Sequence, residues 1–231
     1  MPDLEIFATP AFFLLDNFGA NNAYMTALQA GINWKFADKM YLKFAPSYYS
    51  NSKVKGTNKG TTAAKVNLGQ FSAFTNSVNT ANQWVFDYDA VTLDTEIGFT
   101  GISDFLPYAA VYGQYVKSDV NAAQNINNLD DDTGYLFGVK FGHQKVADLF
   151  DWQASYNYRR LERDAWLDFL PDSDFFGGGT NAKGHEFEFV LGVHKNVSLG
   201  LDYYNTELIR VPAGQTDRAQ EILQLDLLVK F

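Results

Sequence analysis

The sequence predicts an all-β protein, an antiparallel transmembrane β-barrel with about ten strands in this chain, and three observations support that fold class. Apolar and polar residues alternate with the two-residue period of a β-strand through most of the chain. The alternating segments are mostly about 10–14 residues long, against about 5–6 residues for the mean strand of soluble proteins. The connections alternate between long and short, as they do in outer-membrane barrels with short periplasmic turns and long external loops.

The alternation is clearest near the C-terminus, where Leu223, Leu225, Leu227, Val229 and Phe231 form one apolar face. Residues 1–231 are predicted to form a single barrel domain, with both termini on the side of the short turns because the strand count is even. Similar alternating faces are found at 28–36, 42–48, 91–99, 135–141, 152–158, 187–193 and 197–203, whereas 4–15 and 105–117 are ambiguous in phase. Long connections are predicted at 16–22, 50–82, 118–132, 166–183 and 208–217, and short ones at 37–39, 100–104, 144–149 and 195–196.

The composition fits a barrel whose outer face meets lipid. Hydrophobic residues are 46% and charged residues 19%, and the aromatic residues include 20 Phe, 13 Tyr and 4 Trp. The mean hydropathy is nevertheless −0.21, and no apolar run reaches the ~18 residues of a membrane-spanning helix. Backbone polar groups must all be paired in hydrocarbon, so a sheet there has to close on itself. The sequence therefore predicts lipid on one face of each strand and water on the other.

Charge and cysteine content exclude several classes of protein. The net charge of −9 argues against a nucleic-acid binder, which needs a basic surface. With no cysteine, the chain has no disulfide framework and no thiol nucleophile. The first ten residues, MPDLEIFATP, have neither the basic nor the continuous apolar region of a signal peptide. No cofactor or metal is predicted.

Aromatic residues are predicted to form a belt at each membrane interface. Those near the short-turn ends of their strands are Trp34, Phe36, Phe99, Phe141, Trp152 and Phe231, with Val197 at the same level. Those near the long-loop ends are Tyr48, Tyr135, Tyr156 and Tyr158.

The polar face of the strands is predicted to line the lumen. Its acids outnumber its bases, which predicts a mild preference for cations, because rings of charged side chains bias ion passage. The alternative is that the charges form salt bridges that only fill the lumen, since barrels of about eight strands leave no channel and those of about sixteen leave a wide one. The predicted pore-lining residues are Lys43, Asp94, Glu96, Lys140, Arg159, Glu186, Glu188, Asp202 and Asp226, with Glu5, Lys35, Asp151 and Lys230 assigned to the same face.

The densest charge cluster lies where the strand at 150–165 leaves the bilayer. Arg159 and Arg163 are predicted to face inward and Arg160 outward. An arginine ladder here would attract anionic solutes. The favoured alternative is an extended strand whose arginines pair with acids of the next loop.

Two loops carry further candidate sites. The loop at 50–82 has Lys53, Lys55, Lys59 and Lys65 and could touch lipopolysaccharide or fold inward, although a mobile polar loop is favoured. Asp130–Asp132 could bind calcium through oxygen ligands, although they lack EF-hand spacing and a solvated acidic loop is favoured. Asp172 and Asp174, followed by Gly177–Gly179, indicate a turn-rich external loop.

Two regions resemble known families. The alternation that ends on Leu225, Leu227, Val229 and Phe231 resembles the assembly signal of bacterial outer-membrane proteins, which implies recognition by the barrel-assembly machinery. Residues 150–200 resemble the C-terminal region of the bacterial "putative porin" family, through the stretch DWQASYNYRRLERDAWLDFLPDSDFFGGGTNAKGHEFEF followed by KNVSLGLDYY. The upstream stretch DFLPYAAVYGQYV is similar to the same family. That resemblance implies a diffusion pore of no particular solute, in which this chain is either the whole barrel or the last ten strands of a larger one.

The expected function is passive diffusion of small hydrophilic solutes or ions across the outer membrane of a Gram-negative bacterium. Lipid, lipopolysaccharide, the assembly machinery and the solutes are the expected partners, an oligomer is compatible with the sequence, and no nucleic acid is expected. A plugged barrel with a structural or adhesive role in its external loops is the main alternative, and a soluble carbohydrate-binding sandwich is the third. An enzyme is not expected, because His143 and His194 lie by short turns and His185 is the one histidine near the external end.

Overall fold

The computed structural model describes residues 3–15, 22–58, 75–120, 130–211, 216 and 219–230, and it contains one antiparallel ten-stranded sheet ordered as in the chain. The predicted number of strands is therefore confirmed. The strands are β1 Asp3–Leu14, β2 Tyr24–Ala37, β3 Met40–Ser52, β4 Ala90–Thr100, β5 Tyr108–Ser118, β6 Thr133–Gly142, β7 Trp152–Leu161, β8 Ala182–His194, β9 Val197–Leu208 and β10 Gln220–Val229. No helix in the described part of the chain is long and apolar enough to cross a membrane.

The alternation of shorter and longer connections is confirmed for most of the chain. The strand bounds leave short links at 38–39, 101–107, 143–151 and 195–196, and longer links at 15–23, 53–89, 119–132, 162–181 and 209–219, although 143–151 and 15–23 have nine residues each. Consecutive antiparallel strands place these two sets at opposite ends of the sheet. All four short links therefore lie at one end, referred to below as the short-turn end.

Two prolines account for irregular points in the predicted pattern. β5 begins at Tyr108, directly after Pro107, so the ambiguous residues 105–107 belong to the turn. Pro46 lies within β3, and the paired positions between β2 and β3 skip from Gln29–Ser47 to Ile32–Phe44. Proline has no N–H to donate to a ladder, which explains the interruption.

One face of the sheet is apolar, and its large side chains are exposed in the described part of the chain. Leu225 is 75% exposed, Leu227 66% and Val229 50%. Burial of these side chains in a protein core would have contradicted the membrane interpretation, and the structure leaves them exposed. Apolar residues of the other strands lie on the same face, including Ile6, Leu28, Val111 and Phe137.

The opposite face is polar and concave. Glu5 on β1 and Lys140 on β6 line the same recess of about 530 Å³, although four strands lie between β1 and β6. The sheet therefore curves around its polar face. β1 pairs only with β2, and β10 only with β9, among the described residues, so both edges are open and a closed barrel is not observed.

Candidate pore lining and external loops

The strand register places the predicted pore-lining residues on one face of the sheet. Lys43 lies opposite Glu96, and Glu188 lies opposite Asp202. Directly opposed residues of paired strands point to the same side, and the ladders extend this face to Asp94, Lys140, Arg159, Glu186 and Asp226. The shared face is an observation, whereas the lining of a pore stays a prediction.

Glu96 is the centre of the ionic network on β3 to β6. Its carboxylate lies 3.0 Å from Lys43 Nζ and 3.8 Å from Lys140 Nζ, and it accepts a hydrogen bond of 2.6 Å from the Tyr41 hydroxyl. The Tyr41 and Tyr108 hydroxyls are 3.0 Å apart. This part of the polar face carries nearly balanced charge.

Two tyrosine rings of the polar face lie flat against the sheet. A Cβ added to Gly98 would collide with the ring of Tyr41, and one added to Gly138 would collide with the ring of Tyr112. Lys43 and Lys140 extend over these rings, with Nζ 5.1 and 4.6 Å from the respective centroids. The glycines thus allow large side chains to occupy little depth above the sheet.

The polar face of β7 to β10 is strongly acidic. Arg159 donates to Glu186 at 3.2 Å, Asn157 donates to Glu186 at 3.0 Å, and Ser155 donates to Glu188 at 2.9 Å. Arg159 is the one cation on this face of the four strands as described, against four carboxylates. The charge on the polar face is therefore uneven, and its acidic excess lies on β8 to β10.

The link between β7 and β8, residues 162–181, lies across the polar face and is referred to below as the crossing loop. The ring of Trp166 meets the ring of Tyr49 on β3 at 4.7 Å and 83°. At the other side of the sheet, Phe175 packs with Tyr204 of β9, and Ile222 of β10 adjoins them. The crossing loop therefore reaches from β3 to β10 at the long-loop end.

Pairing with the crossing loop also decides between the two interpretations of the arginine cluster. Arg159 lies 3.6 Å from Asp172, and its guanidinium carbon lies 4.3 Å from the centroid of Phe175. Arg160 pairs with Glu162 at 2.9 Å. Arg159 and Arg160 are thus neutralised by neighbouring acids, as the favoured alternative expected, and these two do not form a free ladder for anions.

Two buried aspartates connect the crossing loop to the β3–β4 link, a contact that the sequence analysis missed. The carboxylate of Asp164 accepts hydrogen bonds from Ser77 N at 2.8 Å and Ser77 Oγ at 2.6 Å. The carboxylate of Asp168 accepts from the backbone N–H groups of Thr75 and Asn76 at 2.9 and 3.2 Å. The sequence signal was the apolar residues between these acids, DAWLD, which are unusual in a solvated loop.

A small apolar core lies beneath these hydrogen bonds. Val54, Trp84 and Tyr88 of the β3–β4 link pack with Leu167 of the crossing loop, and each of the four is at most 1% exposed. The favoured expectation of a mobile polar loop at 50–82 is wrong for 53–58 and 75–82, which are held by this packing and by the two aspartates. We call residues 75–89 and 162–168 together the cap. Lys59 and Lys65 lie outside the described residues.

The cap is expected to lose stability as the pH rises. Burial raises the pKa of Asp164, against the opposing effect of its hydrogen bonds from Ser77. A raised pKa in the folded state means that folding favours the protonated form of Asp164. The stability that this preference gives the cap is therefore complete below the unfolded pKa of about 3.9 and is lost as the pH rises through the folded pKa. Hydrogen exchange of the cap amides, corrected for intrinsic rates, should show falling protection from pH 4 upward. Asp164→Asn, which imitates the protonated acid, should flatten this dependence, and an equal slope in that variant would contradict the assignment.

The acidic residues 130–132 are not a solvated loop as a whole. Asp131 is 2% exposed and lies 2.7 Å from Arg210, and Asp132 is 6% exposed and lies 2.8 Å from Lys117. The favoured expectation is therefore wrong for these two, because each carboxylate is neutralised by a basic side chain. No group of three metal-ligating side chains is found among the residues that the structure describes.

Asp151 and the histidines play local roles. Asp151 accepts hydrogen bonds from the backbone of Ala147 and Asp148, and these bonds lower its pKa and hold the β6–β7 turn. His143 lies 3.4 Å from Asp151 in the same turn. His185 lies on the apolar face, where its Nδ1 is 2.7 Å from the Tyr156 hydroxyl.

Residues 62–231 match the family described as "Putative porin", which is more than half of the chain. The chain belongs to this family. The predicted resemblance is thereby confirmed, and membership gives the protein a porin-like role in general terms. No curated protein matches the chain.

Proposed function

We propose that this member of the putative porin family forms a closed β-barrel in the outer membrane of a Gram-negative bacterium and lets small hydrophilic solutes or ions pass by diffusion. The observation that carries the proposal is that the two sides of the sheet differ: one side is apolar and exposed, and the opposite side is polar and concave. An exposed apolar face of this extent, on strands of the length that crosses a bilayer, supports a lipid environment.

Closure of the sheet follows from the same environment. The open edges of β1 and β10 each present a row of unpaired N–H and C=O groups, which are costly in hydrocarbon. β1 and β10 therefore pair with each other or with further strands. In this proposal the short turns and the termini face the periplasm, and Lys53 and Lys55 of the external β3–β4 link meet lipopolysaccharide phosphates.

The acidic excess on β8 to β10 supports a preference for cations. The proposed activity is transport rather than catalysis, and it requires no residue of the polar face to perform chemistry. Ion passage would follow the acidic side of the lumen, because fixed carboxylates raise the local cation concentration.

Planar-bilayer recordings of the purified protein test the proposal. Stepwise conductance is expected, with a reversal potential in a KCl gradient that indicates preference for K⁺. The double variant Glu188→Gln/Asp202→Asn should reduce the ratio of cation to anion permeability several-fold, whereas Glu221→Gln, on the opposite face of β10, should not. A conducting protein whose selectivity is unchanged by the double variant would contradict the assigned polar lining.

A plugged barrel with a structural or adhesive role is a second candidate, favoured by the crossing loop over the polar face. A folded protein that gives no conductance would support this second candidate and contradict the pore.

A further inference from the structure

A recess of about 330 Å³ lies under the crossing loop at the long-loop end of the polar face. Its floor is formed by residues of β4 to β7, including Asp94 and Gln114 of the polar face, and Trp166 and Pro171 of the crossing loop form its roof. Ligand pockets in proteins start at about 300 Å³ and combine apolar walls with a few oriented polar groups. The recess has the size for a ligand of one or two small rings.

The apolar wall of the recess is aromatic. The rings of Trp166 and Tyr49 stand nearly at right angles, 83°, with centroids 4.7 Å apart. Both side chains are half-buried, so ring surface stays accessible from the lumen. Flat aromatic surface of this kind suits the C–H face of a pyranose ring, which offers apolar contact without charge.

The polar groups of the recess suit hydroxyl groups. Gln114 Nε2 donates to Asp94 Oδ1 at 2.7 Å, which leaves the second carboxylate oxygen and the amide oxygen of Gln114 as acceptors. Thr92 also lines the recess, and its buried Oγ1 has no hydrogen-bond partner within the described part of the chain. Neighbouring acceptors on adjacent strands can bind neighbouring hydroxyls of a sugar.

The charges around the recess disfavour an anionic ligand. Arg159 is neutralised by Glu186 and Asp172, and Arg160 by Glu162. Asp94 has no salt-bridge partner among the residues described here, so the remaining charge is negative. A neutral hydroxylated ring and a small organic cation are the two ligand classes that fit, and the aromatic wall with several acceptors matches the ring more fully.

We infer that this recess is a saccharide subsite of the lumen, with a hexopyranose ring on Trp166 and its hydroxyls on Asp94 and Gln114. The inference rests on the proposed function and names a solute class for it. Sugars would then be held transiently beneath the crossing loop on their way through the lumen.

Isothermal titration of the protein in detergent with maltose tests the inference independently of conductance. Saturable millimolar binding is expected, with no binding of sorbitol, which lacks the ring. Trp166→Ala and Tyr49→Ala should each weaken maltose binding at least tenfold. Tyr48→Ala, the neighbouring tyrosine on the apolar face, is the matched control and should bind as the unchanged protein does.

Two further measurements separate the outcomes. Asp94→Asn should retain most of the maltose binding, because an amide still forms hydrogen bonds with hydroxyls. If the protein instead binds choline, and this binding disappears in Asp94→Asn, the recess is a cation site and the saccharide assignment is overturned. Trp166→Phe should restore part of the maltose binding that Trp166→Ala loses, because it restores an aromatic surface. If Trp166→Ala acted only by unfolding the crossing loop, no such recovery would be expected. Channels that conduct while maltose neither binds nor reduces the current would overturn the subsite and leave the proposed pore intact.

Discussion

Leu225→Arg is expected to lower the free energy of unfolding in phospholipid vesicles by about 2–4 kcal/mol, the effect of a basic residue near the bilayer midplane. Leu225 lies in the middle of β10, is 75% exposed and faces the same side as Leu201 on β9. If that side meets lipid, the guanidinium has to be moved out of water into hydrocarbon. Urea titration of the reconstituted protein, followed by tryptophan fluorescence, measures the change.

Gln224→Arg provides the matched control for this substitution. Gln224 is the preceding residue and faces the polar side, directly opposite Asp202. An arginine there meets water and a carboxylate, so the free energy of unfolding should change by less than about 1 kcal/mol, the usual range for an exposed ion pair. Equal destabilisation by both arginines would contradict the assignment of lipid to one face alone.

Asp164→Ala is expected to open the cap and free the crossing loop. The substitution leaves Ser77 N–H, the Ser77 hydroxyl and the Tyr88 hydroxyl without their carboxylate acceptor. Hydrogen bonds to a charged group contribute about 1.5–3 kcal/mol each, and loss of their buried acceptor has a cost of similar size. Tryptic cleavage after Lys53, Lys55 and Arg163 should become at least tenfold faster.

Conductance is the second measurement on the same variant. If the crossing loop narrows the lumen, its release should raise the single-channel conductance severalfold. Asp174→Ala, in the same loop but outside the cap, is the control and should leave both proteolysis and conductance near their original values. Faster proteolysis with unchanged conductance would show that the crossing loop does not limit the current.

The strands could be predicted from the sequence because their environment is periodic. The side chain of Leu227 is exposed on its face, so its apolar character follows from its position along the strand and not from a packed partner in a distant loop. The same reasoning assigned Lys43, Glu96 and Glu188 to the polar face, where the register places them. Pro46 fits the alternation of its strand and yet interrupts the ladder between β2 and β3, because alternation depends on polarity and not on the backbone N–H.

The contacts of the long loops could not be predicted, because they join residues far apart in the chain. Asp164 binds Ser77, which precedes it by 87 positions, and no local pattern specifies that pair. Asp131 was expected in solvent, yet it is buried against Arg210, 79 residues away. The recess under Trp166 depends on Tyr49 in the same way.

The sequence by itself determined the strands, their order of short and long connections, and which side chains share each face, because alternation and turn length are local properties of the chain. Only the tertiary structure decided how the external loops pack, that Arg159 and Arg160 are neutralised by acids, and that a loop crosses the polar face. Those features arise from burial and hydrogen bonding between distant segments, and such contacts form only when the folded sheet brings the loops together.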